Sequence, residues 1–106
     1  MAESLGDELS EALTNITALI IATESKRERT RLTKLQAKIA SKLQVFIDNI
    51  VDERLPEYEA ATKALRKAND RAIEAKEDLD RVAQAIKQFA LAVDTVVELA
   101  EIVAPA

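Results

Sequence analysis

The sequence predicts an all-α protein: a long antiparallel helical hairpin, coiled-coil-like, that associates further into a helical bundle. Three observations carry this. Tyr58, Ala61, Leu65, Ala68, Ala72, Ala75, Leu79, Val82, Ile86, Phe89, Val93, Val96, Ala100 and Val103 are spaced alternately by three and four residues, which places them on one stripe of a helix. The composition is rich in Ala, Leu, Ile, Glu, Lys and Arg, as in coiled coils and long helices. Gly occurs once and Pro twice, so helix breakers are scarce. The 106 residues read as a single domain, 1–106, with arm one at 4–54, a turn at 55–56 and arm two at 57–104.

Arm one opens on Ser4-Leu5-Gly6-Asp7, which has the Ser-x-x-acid form of a helix cap. Pro56 breaks the helix in mid-chain. Proline suits the first turn of a helix and pushes the residue before it out of the α region. Leu55-Pro56 is therefore the expected turn, with one helix ending near Arg54. The second helix should run to about Ala104, just before Pro105. About 50 residues on each side, at about 1.5 Å each, would make two arms roughly 75 Å long.

Folding the chain at residue 55 or 56 sets Leu32 against Leu79, Leu35 against Ala75 and Ile39 against Ala72. It also sets Leu43 against Ala68, Phe46 against Leu65 and Ile50 against Ala61. Most pairs are large against small, which lets two helices approach closely and still interdigitate. Nearer the N-terminus the register fails. The apolar stripe there is Leu9, Leu13, Ile16 and Ile20, and only a shift of two residues restores Ile20–Phe89, Ile16–Val93, Leu13–Val96 and Leu9–Ala100. An irregularity is therefore expected near residues 24–31, as a kink, a bulge or a short link. Ser25-Lys26-Arg27-Glu28 would cap a new helix there, and a full turn would give a three-helix arrangement.

Composition restricts the chemistry. The chain has neither Cys nor His, which removes thiol nucleophiles, Cys/His zinc sites and the commonest general base. No cofactor or metal site is expected, and the chain is read as a non-enzyme. Asn15-Ile16-Thr17 matches a glycosylation acceptor only by pattern. The N-terminus lacks the basic and apolar regions of a signal peptide, and the apolar run 16–22 falls far short of the roughly 20 residues that span a bilayer. A cytoplasmic location is expected, with signal-independent export left open.

Three surfaces are candidates for function. Ala83, Ala85, Ala90, Leu91, Ala92, Val97, Leu99 and Ile102 lie off the heptad stripe, so one partner helix cannot cover this end of the hairpin. The expected interface is Leu9, Leu13, Ile16, Ile20, Ile21, Phe89, Val93, Val97, Leu99 and Ile102, used for a homo-oligomer, either dimer or tetramer. A heterologous helical partner is the alternative. The second surface is a basic patch, Lys26, Arg27, Arg29, Arg31, Lys34, Lys38 and Lys42, which suits phosphate contacts on a nucleic acid. The blander reading is a solvated face balanced across the hairpin by Asp70, Glu74, Glu77, Asp78 and Asp80. The third is the acidic turn, Asp48, Asp52, Glu53, Glu57 and Glu59, which either attracts a cation or simply suits a helix N-terminus.

The functional expectation is a helical assembly protein that self-associates through its apolar open end. The alternative is a small partner protein: a secretion-associated hairpin, a chaperone or a toxin-neutralising subunit. In size and outline the chain is similar to the small secreted helical hairpins that carry a Trp-x-Gly turn, although Arg54-Leu55-Pro56 stands where that turn would be. Nucleic-acid binding through Lys26–Lys42 ranks third, given the net charge of −4.

Overall fold

Capping residues set the helix boundaries. A computed structural model describes residues 4–104. Helix α1 spans Leu5–Ala22, α2 Lys26–Asp48, α3 Pro56–Glu77 and α4 Val82–Val103, with a 3-10 turn at Leu79–Arg81 before α4. No strand occurs among the described residues. The hydroxyl of Ser4 accepts a hydrogen bond from the Asp7 N–H at 3.1 Å, which is the cap expected from the sequence. Ser25 caps α2 in the same way, accepting from the Glu28 N–H at 3.3 Å. Pro56 begins α3, and Leu55 before it is extended, as the proline requires.

The chain reverses where the sequence suggests a break, and once more where it does not. The irregularity expected near residues 24–31 is a short extended link at residues 23–25, so α2 doubles back along α1. The Gln36 amide then reaches the Thr17 hydroxyl at 2.7 Å. The unexpected reversal is at Asp78, in the middle of the continuous heptad. Its backbone is extended, and its carboxylate accepts from the Asp80 N–H at 3.1 Å. The Arg81 N–H donates to the Asp78 carbonyl at 2.9 Å, closing the 3-10 turn. Ion pairs fasten this corner: Arg81 to Glu74 at 3.2 Å and to Asp78 at 3.5 Å, and Arg71 to Glu74 at 3.2 Å.

The roughly 75 Å hairpin is therefore replaced by a folded-up bundle. The molecule measures 39 × 30 × 17 Å, and its longest axis is close to one 22-residue helix. Each helix packs against two others: α1 against α2 and α3, and α4 against α3 and α2. Helices α2 and α3 lie on a diagonal, so the expected α2–α3 pairing is not made. The physical reason is the Asp78 corner. It brings the large residues of α4 back onto the alanine stripe of α3, and that large-on-small packing takes the place of the one expected from arm one. The turn expected at 55–56 is also longer. Helix α2 ends at Asp48, and residues 49–55 cross the end of the bundle.

Hydrogen bonds fix the helix directions. The Leu5 N–H donates to the Tyr58 hydroxyl at 2.9 Å, so α1 and α3 start at the same end. Further along, the Asn69 amide donates to the Glu8 carbonyl at 3.2 Å, and the Asn15 amide donates to the Asn69 side-chain oxygen at 3.0 Å. Lys76 Nζ donates to Asn15 Oδ1 at 2.6 Å. Positions rise together along both helices, so α1 and α3 are parallel, and hence so are α2 and α4.

The core holds Phe89, Leu9, Ile16, Leu19, Leu32, Ile39, Leu65 and Leu99, all fully buried. Helix α2 gives it only Leu32 and Ile39; Leu35, Leu43 and Phe46 are half-buried, and Ile47 is exposed. It is the least covered helix.

Ala72 is fully buried in the α3 stripe. Ala72→Leu is expected to overpack it and cost about 1–3 kcal/mol, read by chemical denaturation. An unchanged midpoint would show that α3 is not held close to its neighbours. Asn69→Ala removes the donor to the Glu8 carbonyl and the acceptor for Asn15, at an expected cost of about 1–3 kcal/mol. Asn15→Ala should then cost less in that background than alone. Strict additivity would mean that the two amides are not coupled.

Candidate functional site

The site begins with the spacing of side chains on two parallel helices. On α2, Arg31, Lys34, Leu35 and Lys38 recur at three- and four-residue intervals and share a face. On α4, Ala83, Ile86, Lys87 and Ala90 do the same. The two faces meet in a solvent-open groove of about 800 Å³, lined by these residues and Ala37. Leu35 is half-buried and Ile86 buried, and together they form the floor. The alanines on both helices are too small to fill the gap, which keeps the groove open. Arg31, Lys34, Lys38 and Lys87 line it and are all exposed. None of the described residues lining it is acidic.

The positive charge continues beyond the groove. Lys26, Arg29, Thr30, Thr33 and Lys34 surround a shallow depression at the start of α2. Among the described residues, none of Lys26, Arg27, Arg29, Arg31, Lys34, Lys38 and Lys42 makes an ion pair. Most of the acids expected to balance them are engaged elsewhere or lie on the diagonal helix. Glu74 and Asp78 are bound to Arg71 and Arg81 at the α3–α4 corner, and Asp70 and Glu77 also lie on α3, diagonal to α2. Lys26, Arg27 and Arg29 also crowd the N-terminus of α2, with Glu28 the only acid in its first turn. Cations there oppose the helix dipole by about 0.3–1 kcal/mol each at the surface.

The interface expected from the sequence is largely the core of the chain itself. Leu9, Ile16, Phe89, Val93 and Leu99 are buried within one chain. Leu13, Ile20 and Val97 are half-buried; Ile21 is 81% exposed and Ile102 48%. The open end of the hairpin does not exist, because α2 and α3 cover the apolar sides of α1 and α4. The α4 wall of the groove is the part that sequence reasoning missed. Ala83 and Ala90 stand out as apolar residues off the stripe, but nothing in their spacing points to α2 as their neighbour.

Three acids of the acidic turn, Asp48, Asp52 and Glu59, have local partners. Both Asp52 oxygens accept from the Arg54 guanidinium, at 3.1 and 3.2 Å, and one also accepts from the Arg54 N–H at 2.9 Å. The side-chain bonds first, and then the backbone bond, hold the Asp52 carboxyl below the ordinary aspartate range. Glu59 is lowered by its hydrogen bond to Lys63, with a 2.9 Å ion pair. Asp48 accepts from Gln44 at 3.0 Å. Among the described residues no group of three potential metal ligands gathers anywhere. No described helix is long and apolar enough to cross a membrane.

No family model, curated protein or solved structure matches this chain.

A lowered carboxyl stabilises the turn above the ordinary aspartate range and loses that contribution as the pH falls through its own pKa. Arg54→Ala, which keeps the backbone N–H, should raise the Asp52 titration, followed by carboxyl NMR shifts, toward the ordinary range. An unmoved titration would mean that Arg54 does not hold this turn.

Proposed function

We propose that the chain is a non-enzymatic interaction protein, a four-helix module that offers its α2–α4 face to another protein chain. One observation carries this reading: the apolar groove is lined by cations that have no ion-pair partner among the described residues. An apolar recess bounded by charge is the usual anatomy of a binding surface, with a dry centre and a polar rim. The cations at the start of α2 oppose its dipole, so their presence there is not accounted for by helix stability.

Self-association into a dimer or tetramer is the second reading, and it now rests on different residues. The strongly exposed apolar side chains include Ile21, Ile47 and Ile50, at 81%, 67% and 98%. The radius of gyration, 13.4 Å, is close to the roughly 13 Å of a compact domain of about 100 residues, so one chain already covers most of its core. This favours a partner at the groove over a partner needed to complete the fold.

A photo-crosslinking residue placed at Ala37 or Ala90, compared with Ser10 or Thr14 on the exposed side of α1, tests the reading in cells that make the protein. Adducts to a different chain should concentrate at the two groove positions. Equal labelling at all four positions overturns the assignment of the face, and adducts between two copies alone would replace it with self-association.

A further inference from the structure

The α2–α4 groove restricts the chemistry of what can fill it. Resting on the proposal that this face binds another protein chain, we infer that its occupant is an acidic amphipathic helix of that partner. The partner would lay an apolar stripe on Leu35, Ile86 and the alanine methyls and direct flanking Asp and Glu side chains at Arg31, Lys34, Lys38 and Lys87.

The shape supports a helix. The lining residues run over residues 31–38 of α2 and 83–90 of α4, two turns of each, or about 10 Å of axis. Two parallel helices with alanines between them make a channel that a third helix can enter by one face. A helix needs cover only on that face, because its own backbone groups are already paired. A bound fatty acid would leave much of its chain in water, whereas small-molecule pockets bury about 70–90% of their ligand. A bilayer surface has no ridge to enter the groove.

The charge supports acidity. The four cations lie around an apolar floor, and none is neutralised by an ion pair among the described residues. A partner with Lys or Arg beside its apolar stripe would meet like charge along the groove, which excludes basic helices. A nucleic acid would satisfy the cations but leave the Leu35–Ile86 floor without an apolar partner. The groove also has no aromatic side chain on which a base could stack.

A second copy of the chain fits poorly. The exposed side of α1 offers Asp7, Ser10, Glu11 and Thr14, acidic, with Ile21 at its far end in place of a continuous apolar stripe. The exposed stripe of α4 runs Leu91, Asp94, Glu98, Ile102, which would seat carboxylates on the apolar floor. Neither of these two faces offers an acid-flanked apolar stripe, which favours a different chain as the occupant.

The test uses the full-length, 15N-labelled protein and three synthetic helical peptides of roughly 18 residues, long enough to form several turns. One has a Leu stripe flanked by Glu, one has Lys in place of every Glu, and one has Ser in place of every Leu. Single-stranded oligothymidine is the polyanion control. The Glu/Leu peptide should shift the amides of residues 31–38 and 83–90, and the other two peptides should bind at least about tenfold more weakly, a difference of about 1.4 kcal/mol. Lys38→Glu combined with Lys87→Glu, both at exposed positions, should weaken the Glu/Leu peptide by a similar factor and improve the Lys/Leu peptide. Ala90→Asp should weaken the Glu/Leu peptide through the floor. Equal or better binding of the Lys/Leu peptide, tighter binding of oligothymidine at the same amides, shifts elsewhere, or no binding by the Glu/Leu peptide would each overturn the inference. Crosslinks at Ala37 and Ala90 alongside a failed peptide would reject the acidic helix and keep the face. Absence of both would remove the face as well.

Discussion

The architecture depends on the reversal at Asp78. The residues on either side carry one unbroken heptad, and a continuous helix through it would leave the apolar residues of 82–103 covered on one side only. The aspartate ends α3, caps a single 3-10 turn and starts α4 in the opposite direction. Valines, isoleucine and phenylalanine of α4 then lie on the alanines of α3. Burying a large aliphatic side chain contributes about 1.5–3 kcal/mol, and exposed ion pairs such as those of Arg81 about 0–1 kcal/mol. Burial of the α4 face therefore drives the reversal, while Arg81, Glu74 and Asp78 set its geometry. Everything outside this pair follows from it: α1 covers the open side of α3, and α2 is left to cover α4 incompletely.

Between α1 and α3 the bundle uses polar groups where apolar ones would also fit. Asn15 and Asn69 are buried and bonded to one another, and Glu8 is buried with its carboxylate 3.7 Å from the Arg66 guanidinium. Parallel helices of similar apolar pattern can slide by one turn at little cost in burial. A slid pair would separate the Asn69 amide from the Glu8 carbonyl and Lys76 from Asn15, leaving buried groups without partners. The network thus discriminates between registers more than it adds net stability, and it gives α1 one position on α3.

Much of the local structure is legible in the sequence. Ser4 and Ser25 announce two helix starts, Pro56 a third, and most of the heptad stripe of 58–103 is buried as its spacing requires. The long-range pairing is not legible, and the Asp78 corner explains why. The 3-10 turn preserves the heptad phase, so Ala75 and Val82 both face the core while Leu79 between them is half exposed. Aspartate is as ordinary on a solvated helix face as it is at a cap, so Asp78 gives no distinct signal among Glu77, Asp78 and Asp80. Once α3 and α4 are read as one rod, α2 is assigned the wrong neighbour. The cations of the groove were identifiable one by one from sequence, but its α4 wall was not, because its position follows from that corner.

The contact between Leu5 and Tyr58 gives the molecule a built-in optical reporter. The chain has one tyrosine and no tryptophan, so its near-ultraviolet absorbance and intrinsic emission come chiefly from a single ring. That ring is half-buried at the junction where α1 and α3 both begin, and its oxygen accepts the first free amide of α1. Separation of α1 from α3 would break this hydrogen bond and expose the phenol to water. The native protein, without any label, therefore carries a spectroscopic reporter seated at the α1–α3 contact.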